Sequence, residues 1–121
     1  MPLNDFFTYK LQLINQEKIL ATIQINPDHK IFNGHFPDNQ VVPGVAQLEI
    51  LRQILSSALQ KKIMLVAAKD IKYMNPMLPE PMSDIMLEAE YRIDSNIITT
   101  NCVLMKGEIV FTKIRGTFRE E

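Results

Sequence analysis

The chain of 121 residues has no tryptophan, a single cysteine, two histidines and only four glycines, and each scarcity excludes something. One cysteine, Cys102, cannot close an internal disulfide, which agrees with a reducing compartment, and its place in the strand-like run Ile97 to Leu104 predicts a small buried residue rather than a nucleophile. With only His29 and His35 beside it, any zinc site would have to be built mostly from carboxylates, an uncommon choice, so no metal is expected. No charge of one sign dominates: a net charge of −1 and a pI near 6.1 give no electrostatic footprint for nucleic acid. No apolar run is long enough to cross a bilayer, and Met1 to Asp5 lacks a basic stretch leading into an apolar one, so a cytoplasmic protein without a membrane span is expected. A hydrophobic content of 46% and charged content of 22% are ordinary for a folded domain, and residues 1–121 read as one.

What is present is a clear order of elements. Tyr9 to Ile14 and Ile19 to Ile25 alternate apolar with polar residues around the turn-like Asn15-Gln16-Glu17-Lys18, predicting a hairpin. After an irregular stretch from Asn26 to Val42, residues 45–60 carry Val45, Leu48, Leu51, Leu55, Ala58 and Leu59 at helical spacing. Strands are then predicted over Ile63 to Ala68, Ile71 to Met74, Ile85 to Ile93, Ile97 to Met105 and Ile109 to Phe118, with Asp94-Ser95-Asn96 and Lys106-Gly107 as turns. The cluster Pro76, Pro79 and Pro81 predicts an extended connection. One apolar-faced helix among antiparallel strands must bury its stripe on a sheet face, so the class is α+β.

The richest stretch is Gly34-His35-Phe36-Pro37-Asp38-Asn39-Gln40-Val41-Val42-Pro43-Gly44-Val45-Ala46-Gln47-Leu48-Glu49. It supplies a base, His35, an acid, Glu49, and between them a Pro-Gly pair suited to a tight turn into a helix. Amides at a helix start are unpaired donors carrying part of the helix dipole, so a carbonyl gaining negative charge can be held there. Against this, Glu49 falls on the helix side of Arg52, Gln53, Ser56 and Gln60, where an ordinary Glu-Arg pair at i,i+3 would account for it. His29, in Asn26-Pro27-Asp28-His29-Lys30, is most simply a solvated loop residue.

His-Phe-Pro, then Pro-Gly-Val, then a helical Glu fourteen positions after the His resembles the (3R)-hydroxyacyl-acyl-carrier-protein dehydratases. Asp70-Ile71-Lys72-Tyr73-Met74-Asn75-Pro76 with Pro79 resembles the strand and Pro-x-x-Pro turn that follow the helix in that family. The resemblance spans residues 19–118. It implies a hot-dog fold, an antiparallel sheet wrapped around one long central helix, with two subunits pairing so that each site takes its His from one and its acid from the other. Gln40 stands where many members have Pro, the start lacks a Pro-His-Arg-like segment, and Gln47 replaces an apolar residue; these departures imply a specialised relative, of the kind used in aryl-polyene or similar acyl pathways.

The implied reaction is elimination of water from a 3-hydroxyacyl thioester to a trans-2-enoyl thioester. His35 would be the base, with a pKa suited to neutral pH. Glu49 of the second subunit would handle the hydroxyl, donating a proton if desolvation raised its pKa. The Gly44 amide would bind the thioester carbonyl, and Phe36, Val45 and Tyr73, with Val41, Val42 and Met74, would line the acyl pocket, although core packing accounts for these apolar residues equally well. No metal or dissociable cofactor is implied; the substrate rides on the phosphopantetheine of an acyl carrier protein, for which Lys61, Lys62, Lys69 and Lys72 are docking candidates. A homodimer or higher homo-oligomer is expected. Two alternatives stay open: a hot-dog acyl thioesterase, in which a carboxylate activates water, and a non-catalytic acyl-binding partner subunit.

Overall fold

The computed structural model describes residues 5–33 and 40–121. They form strands β1 (Phe7–Ile14) and β2 (Lys18–Ile25), a 3-10 turn over Lys30–Phe32, helix α1 (Gly44–Leu59), and strands β3 (Ile63–Tyr73), β4 (Ile85–Asp94), β5 (Ile97–Lys106) and β6 (Ile109–Glu120). The six strands make one antiparallel sheet in the order β1-β2-β4-β5-β6-β3, so β3 returns from the helix to the far edge. This is the hot-dog arrangement, with α1 packed on one sheet face.

The inner strands alternate as a half-covered sheet requires, while the edge strands β1 and β3 are mostly exposed. In β2, Ile19, Ala21, Ile23 and Ile25 point inward, and Ile85, Leu87, Ala89 and Tyr91 do the same in β4. Cys102 lies on the same inner face; burial, with the Glu88 charge adding, pushes its thiol pKa well above the usual value, so it is an inert core group. Turns fall where expected, with Ser95 (φ 56°) between β4 and β5 and Gly107 (φ 59°) between β5 and β6.

Two elements differ from the expected pattern. The two strands expected over 63–68 and 71–74 are one continuous strand, β3, which ends at Tyr73 and shifts register between Leu65 and Ala67 and again between Ala68 and Asp70. Each bulge adds a residue and breaks the alternation, which made Lys69-Asp70 resemble an interruption. The helix buries Ala46, Gln47, Ile50, Leu51, Ile54 and Leu55, whereas Val45 is 62% exposed and Leu48 only half-buried. The apolar surface of α1 is wider than one stripe, and the sheet takes the part centred on Ile50 and Ile54.

α1 ends at Gln60, whose left-handed backbone lets its N–H return to the Ser56 and Ser57 carbonyls. No described helix is long and apolar enough to cross a membrane. Ile54 is fully buried at the centre of the helix-sheet contact. Ile54→Ala is expected to lower unfolding stability by about 2–5 kcal/mol in urea titration, and a loss well under 1 kcal/mol would contradict the packing described.

Candidate functional site at the start of the central helix

The sheet register decides what stands beside the helix start. A single ladder row runs from Ala21 through Leu87, Leu104 and Thr112 to Tyr73. Its last two members meet the first turn of α1. Gly44 is so close to Tyr73 that a Cβ added there would lie 2.0 Å from the tyrosine hydroxyl oxygen and 2.6 Å from Cζ. A larger residue at position 44 would have to displace the Tyr73 ring, so the small size of Gly44, not its backbone angles, is what this approach uses.

Pro43 precedes the helix in extended conformation (φ −61°, ψ 150°) and offers no side-chain cap. The Ala46 and Gln47 amides both donate to the Pro43 carbonyl, at 3.1 Å each, so Gly44 and Val45 hold the amides that precede the first intrahelical bond. No acidic side chain stands in this turn, leaving the positive end of the dipole uncompensated by the helix itself.

A groove of about 600 Å³ opens here, walled by Val41, Val42, Val45, Met74, Pro76 and Met77, with Gly44, Gln47, Tyr73 and Asn75 supplying the polar atoms. Its far wall is pinned from two sides: the Val42 amide donates to the Met77 carbonyl at 2.8 Å, and Asn75 Nδ2 donates to the Val110 carbonyl at 2.7 Å. Gly44, Val45 and Tyr73 therefore share one groove with Val41, Val42 and Met74. His35 and Phe36 lie outside the described residues. Gln40, at the near end of that stretch, donates from Nε2 to the Phe32 carbonyl at 3.2 Å.

Glu49 is not on the groove of its own chain. It lies one turn further along α1, its side chain 17% exposed, clasped by Arg52: Arg52 Nε donates to the two carboxylate oxygens at 2.8 and 3.0 Å, and Nη2 to Oε1 at 2.5 Å. Gln53 Nε2 adds a longer bond at 3.5 Å, and Arg52 Nη1 reaches the Ile63 carbonyl on β3 at 3.3 Å. Burial on its own would raise the Glu49 pKa, but the hydrogen bonds and charge of Arg52, helped by Gln53, outweigh it and hold the carboxyl below its usual value. Desolvation is thus present, but Glu49 rests as a carboxylate. A raised pKa, which the proton-donor role requires, is not what this geometry gives.

His29 is not simply solvated. Its Nδ1 accepts from the Ile31 amide at 3.0 Å, capping the 3-10 turn, and its ring stands edge-on to Phe6 at 5.2 Å. Of the four lysines, Lys61 pairs with Glu120 at 3.6 Å, while Lys62, Lys69 and Lys72 are exposed. Two features of the site were not legible as such. Gln47, read as a polar replacement on the helix, is buried and bonded to Thr112 and to the Val42 carbonyl. Met77, within the proline-rich connection, is a core residue. Both depend on contacts between distant parts of the chain, Gln47 with Thr112 on β6 and Met77 with Val42, which leave no local sequence signal.

With this geometry in place, the family can be decided. Residues 11–108, most of the chain, match the family model described as ApeI-like, ApeI dehydratase. The chain belongs to the ApeI-like dehydratase family. It is 30% identical over 109 residues to the 3-hydroxyacyl-[acyl-carrier-protein] dehydratase FabZ of Levilactobacillus brevis, covering 84% of this chain and 73% of that protein. Matches to three other FabZ proteins are closer but shorter, and there the chain spans only 32–39% of the relatives' length. Among solved structures, the dehydratase heterocomplex ApeI:P from Xenorhabdus doucetiae superposes with a TM-score of 0.73 at 17% identity, covering 91% of this chain and 94% of that one. The fluoroacetyl-CoA thioesterase FlK does so with a TM-score of 0.71 at 9% identity, covering 91% and 89%. At such identities the likeness is of fold, and that fold carries both elimination and thioester hydrolysis.

For this ApeI-like chain the sign of the Glu49 shift has a direct test. A depressed folded-state pKa contributes stability above the unfolded value, and that stability is lost as pH falls through the folded value. Arg52→Met is expected to raise the Glu49 titration midpoint, read by carboxyl-carbon NMR, and to flatten the stability loss on the acid side. An unchanged midpoint would show that Arg52 does not hold the carboxylate.

Proposed function

We propose that the protein is a dehydratase that interconverts a (3R)-3-hydroxyacyl thioester with the trans-2-enoyl thioester and water, acting in the cytoplasm as a homodimer on substrate carried by the phosphopantetheine of an acyl carrier protein. The observation that carries this reading is the open start of α1 at an apolar groove in a member of a dehydratase family. The chemistry needs no metal and no dissociable cofactor. Residues 1–121 act in it as one unit.

In this scheme the thioester carbonyl accepts from the Gly44 amide, where charge developing on oxygen meets the helix dipole; losing one such donor costs about 3–4 kcal/mol of transition-state stabilisation in other acyl-transfer sites. Val45, Tyr73 and Phe36 flank the acyl chain. His35 takes a proton from the carbon next to the carbonyl and becomes an imidazolium. Glu49 of the partner subunit, a carboxylate, accepts a hydrogen bond from the 3-hydroxyl and directs it. The carbon-oxygen bond then breaks, the imidazolium returns its proton to the departing hydroxide, and water leaves with His35 neutral again.

Dimer formation is supported by β3. It is an edge strand of 11 residues with Met64, Leu65 and Val66 exposed, an unpaired edge suited to a second copy. Arg52 joins Glu49 to the first residue of that same strand, so the carboxylate lies toward the side a partner would cover.

A second reading, acyl thioester hydrolysis, is favoured by one observation: an ionised Glu49 is suited to activating water. Products separate the two. With 3-hydroxyacyl and trans-2-enoyl thioesters on a carrier protein, the wild type is expected to interconvert them with a mass change of one water. His35→Ala should reduce the rate by on the order of 10²- to 10⁴-fold, and Glu49→Gln should also reduce it, with the fold intact. Release of free acid instead would establish hydrolysis; neither product across several chain lengths would leave acyl binding without catalysis.

A further inference from the structure

One polar pair at the groove, Gln47 in its wall and Thr112 behind it, is neither a helix cap nor a participant in the elimination. Gln47 is 3% exposed and Thr112, beside it, fully buried, yet both occupy positions that the core otherwise fills with aliphatic groups. A carboxamide taken out of water costs free energy unless its hydrogen bonds are made. Gln47 Nε2 donates to the Val42 carbonyl at 3.2 Å, and its Oε1 accepts from the Thr112 hydroxyl at 2.5 Å. A primary amide has two N–H donors and two acceptor positions on oxygen. Among the described residues, one N–H and one lone pair therefore remain, on a side chain that lines the groove.

The brace also holds the carboxamide in place. Thr112 stands in the ladder next to Tyr73, and Val42 is held by Met77, so neither partner of the carboxamide is free to move away. Gln47 lies one turn beyond Gly44 on the same helix. A thioester whose carbonyl meets the Gly44 amide would run its tail past this group. A methylene placed there strands the N–H and the lone pair without water; an oxygen placed there accepts from the N–H.

We propose that Gln47, braced by Thr112, is a specificity-determining residue of the groove, selecting acyl thioesters whose tail carries a hydrogen-bonding oxygen over saturated tails of equal length. This rests on reading the groove as the acyl site. The asymmetry has a physical basis: an apolar pocket discriminates weakly against an added polar group, whereas a buried polar group strongly penalises a ligand that leaves it unpaired.

The test is calorimetric binding of acyl-pantetheine thioesters to the whole protein, comparing octanoyl with a set of oxo-octanoyl isomers bearing the ketone at successive positions. Wild type is expected to bind the best-placed isomer about tenfold more tightly than octanoyl, the size of one satisfied against one stranded polar group. The double variant Gln47→Met with Thr112→Val replaces both partners by apolar groups of similar shape, and it should lose or reverse that preference. If wild type binds octanoyl as tightly as every isomer, or if the double variant keeps the preference, the specificity role of Gln47 is overturned while the acyl groove stands. If wild type binds none of these thioesters, the acyl groove itself is overturned, and this inference with it. The wild-type comparison is decisive even if the double variant fails to fold.

Discussion

Without the burial of Ala46, Ile50, Leu51, Ile54 and Leu55 against the sheet, neither the groove nor the open helix start would exist. Fully burying each large aliphatic side chain contributes about 1.5–3 kcal/mol, far more than any cap or surface ion pair in the molecule, so this contact sets the position of α1. Once it is set, the ladder from Ala21 to Tyr73 determines the surroundings of the first turn, because a shift of one residue would turn every inward side chain outward. Tyr73 then lies on Gly44, and Thr112 lies under Gln47. One buried polar contact and one close approach at a glycine follow from the packing of apolar residues some distance away.

Electrostatics adds a second layer at the same helix. Its start carries unpaired amides with no acid to compensate them, which favours a carbonyl that becomes an oxyanion. One turn further on, the hydrogen bonds and charge of Arg52 outweigh burial and hold Glu49 as a carboxylate, the form the proposed mechanism uses. The two features suit one substrate only if they come from different subunits, since Glu49 does not line the groove of its own chain. In the proposed dimer the seam is the β3 edge, whose apolar residues are exposed and whose first residue accepts from Arg52.

Much of this was legible in the residues. Alternation located β2, β4, β5 and β6 to within a few positions, because each has one covered and one open face, and β1 was located by its hairpin with β2 although none of its residues is fully buried. The Pro-Gly pair located the helix start. Gly44 and Val45, adjacent at the helix start, and Tyr73 on β3 were expected at one acyl site and line one groove. What escaped was set by long-range pairing. The bulges in β3 disguised one strand as two, and the helix face chosen by the sheet differs from its most regular stripe. The burial of Gln47 depends on Thr112, sixty-five positions away. Glu49 was read both as an acid and as an Arg52 partner; the structure contains the pair, and with it a lowered pKa.

The central claim is that one active site takes His35 from one subunit and Glu49 from the other, and mixing two inactive variants tests it most directly. His35→Ala and Glu49→Gln would be refolded together, the heterodimer confirmed by native mass spectrometry, and water elimination from a 3-hydroxyacyl thioester measured. The account predicts that the mixture regains activity, because each heterodimer contains one site with both wild-type residues, while neither homodimer does. Heterodimers that form and remain as inactive as their parents would contradict it.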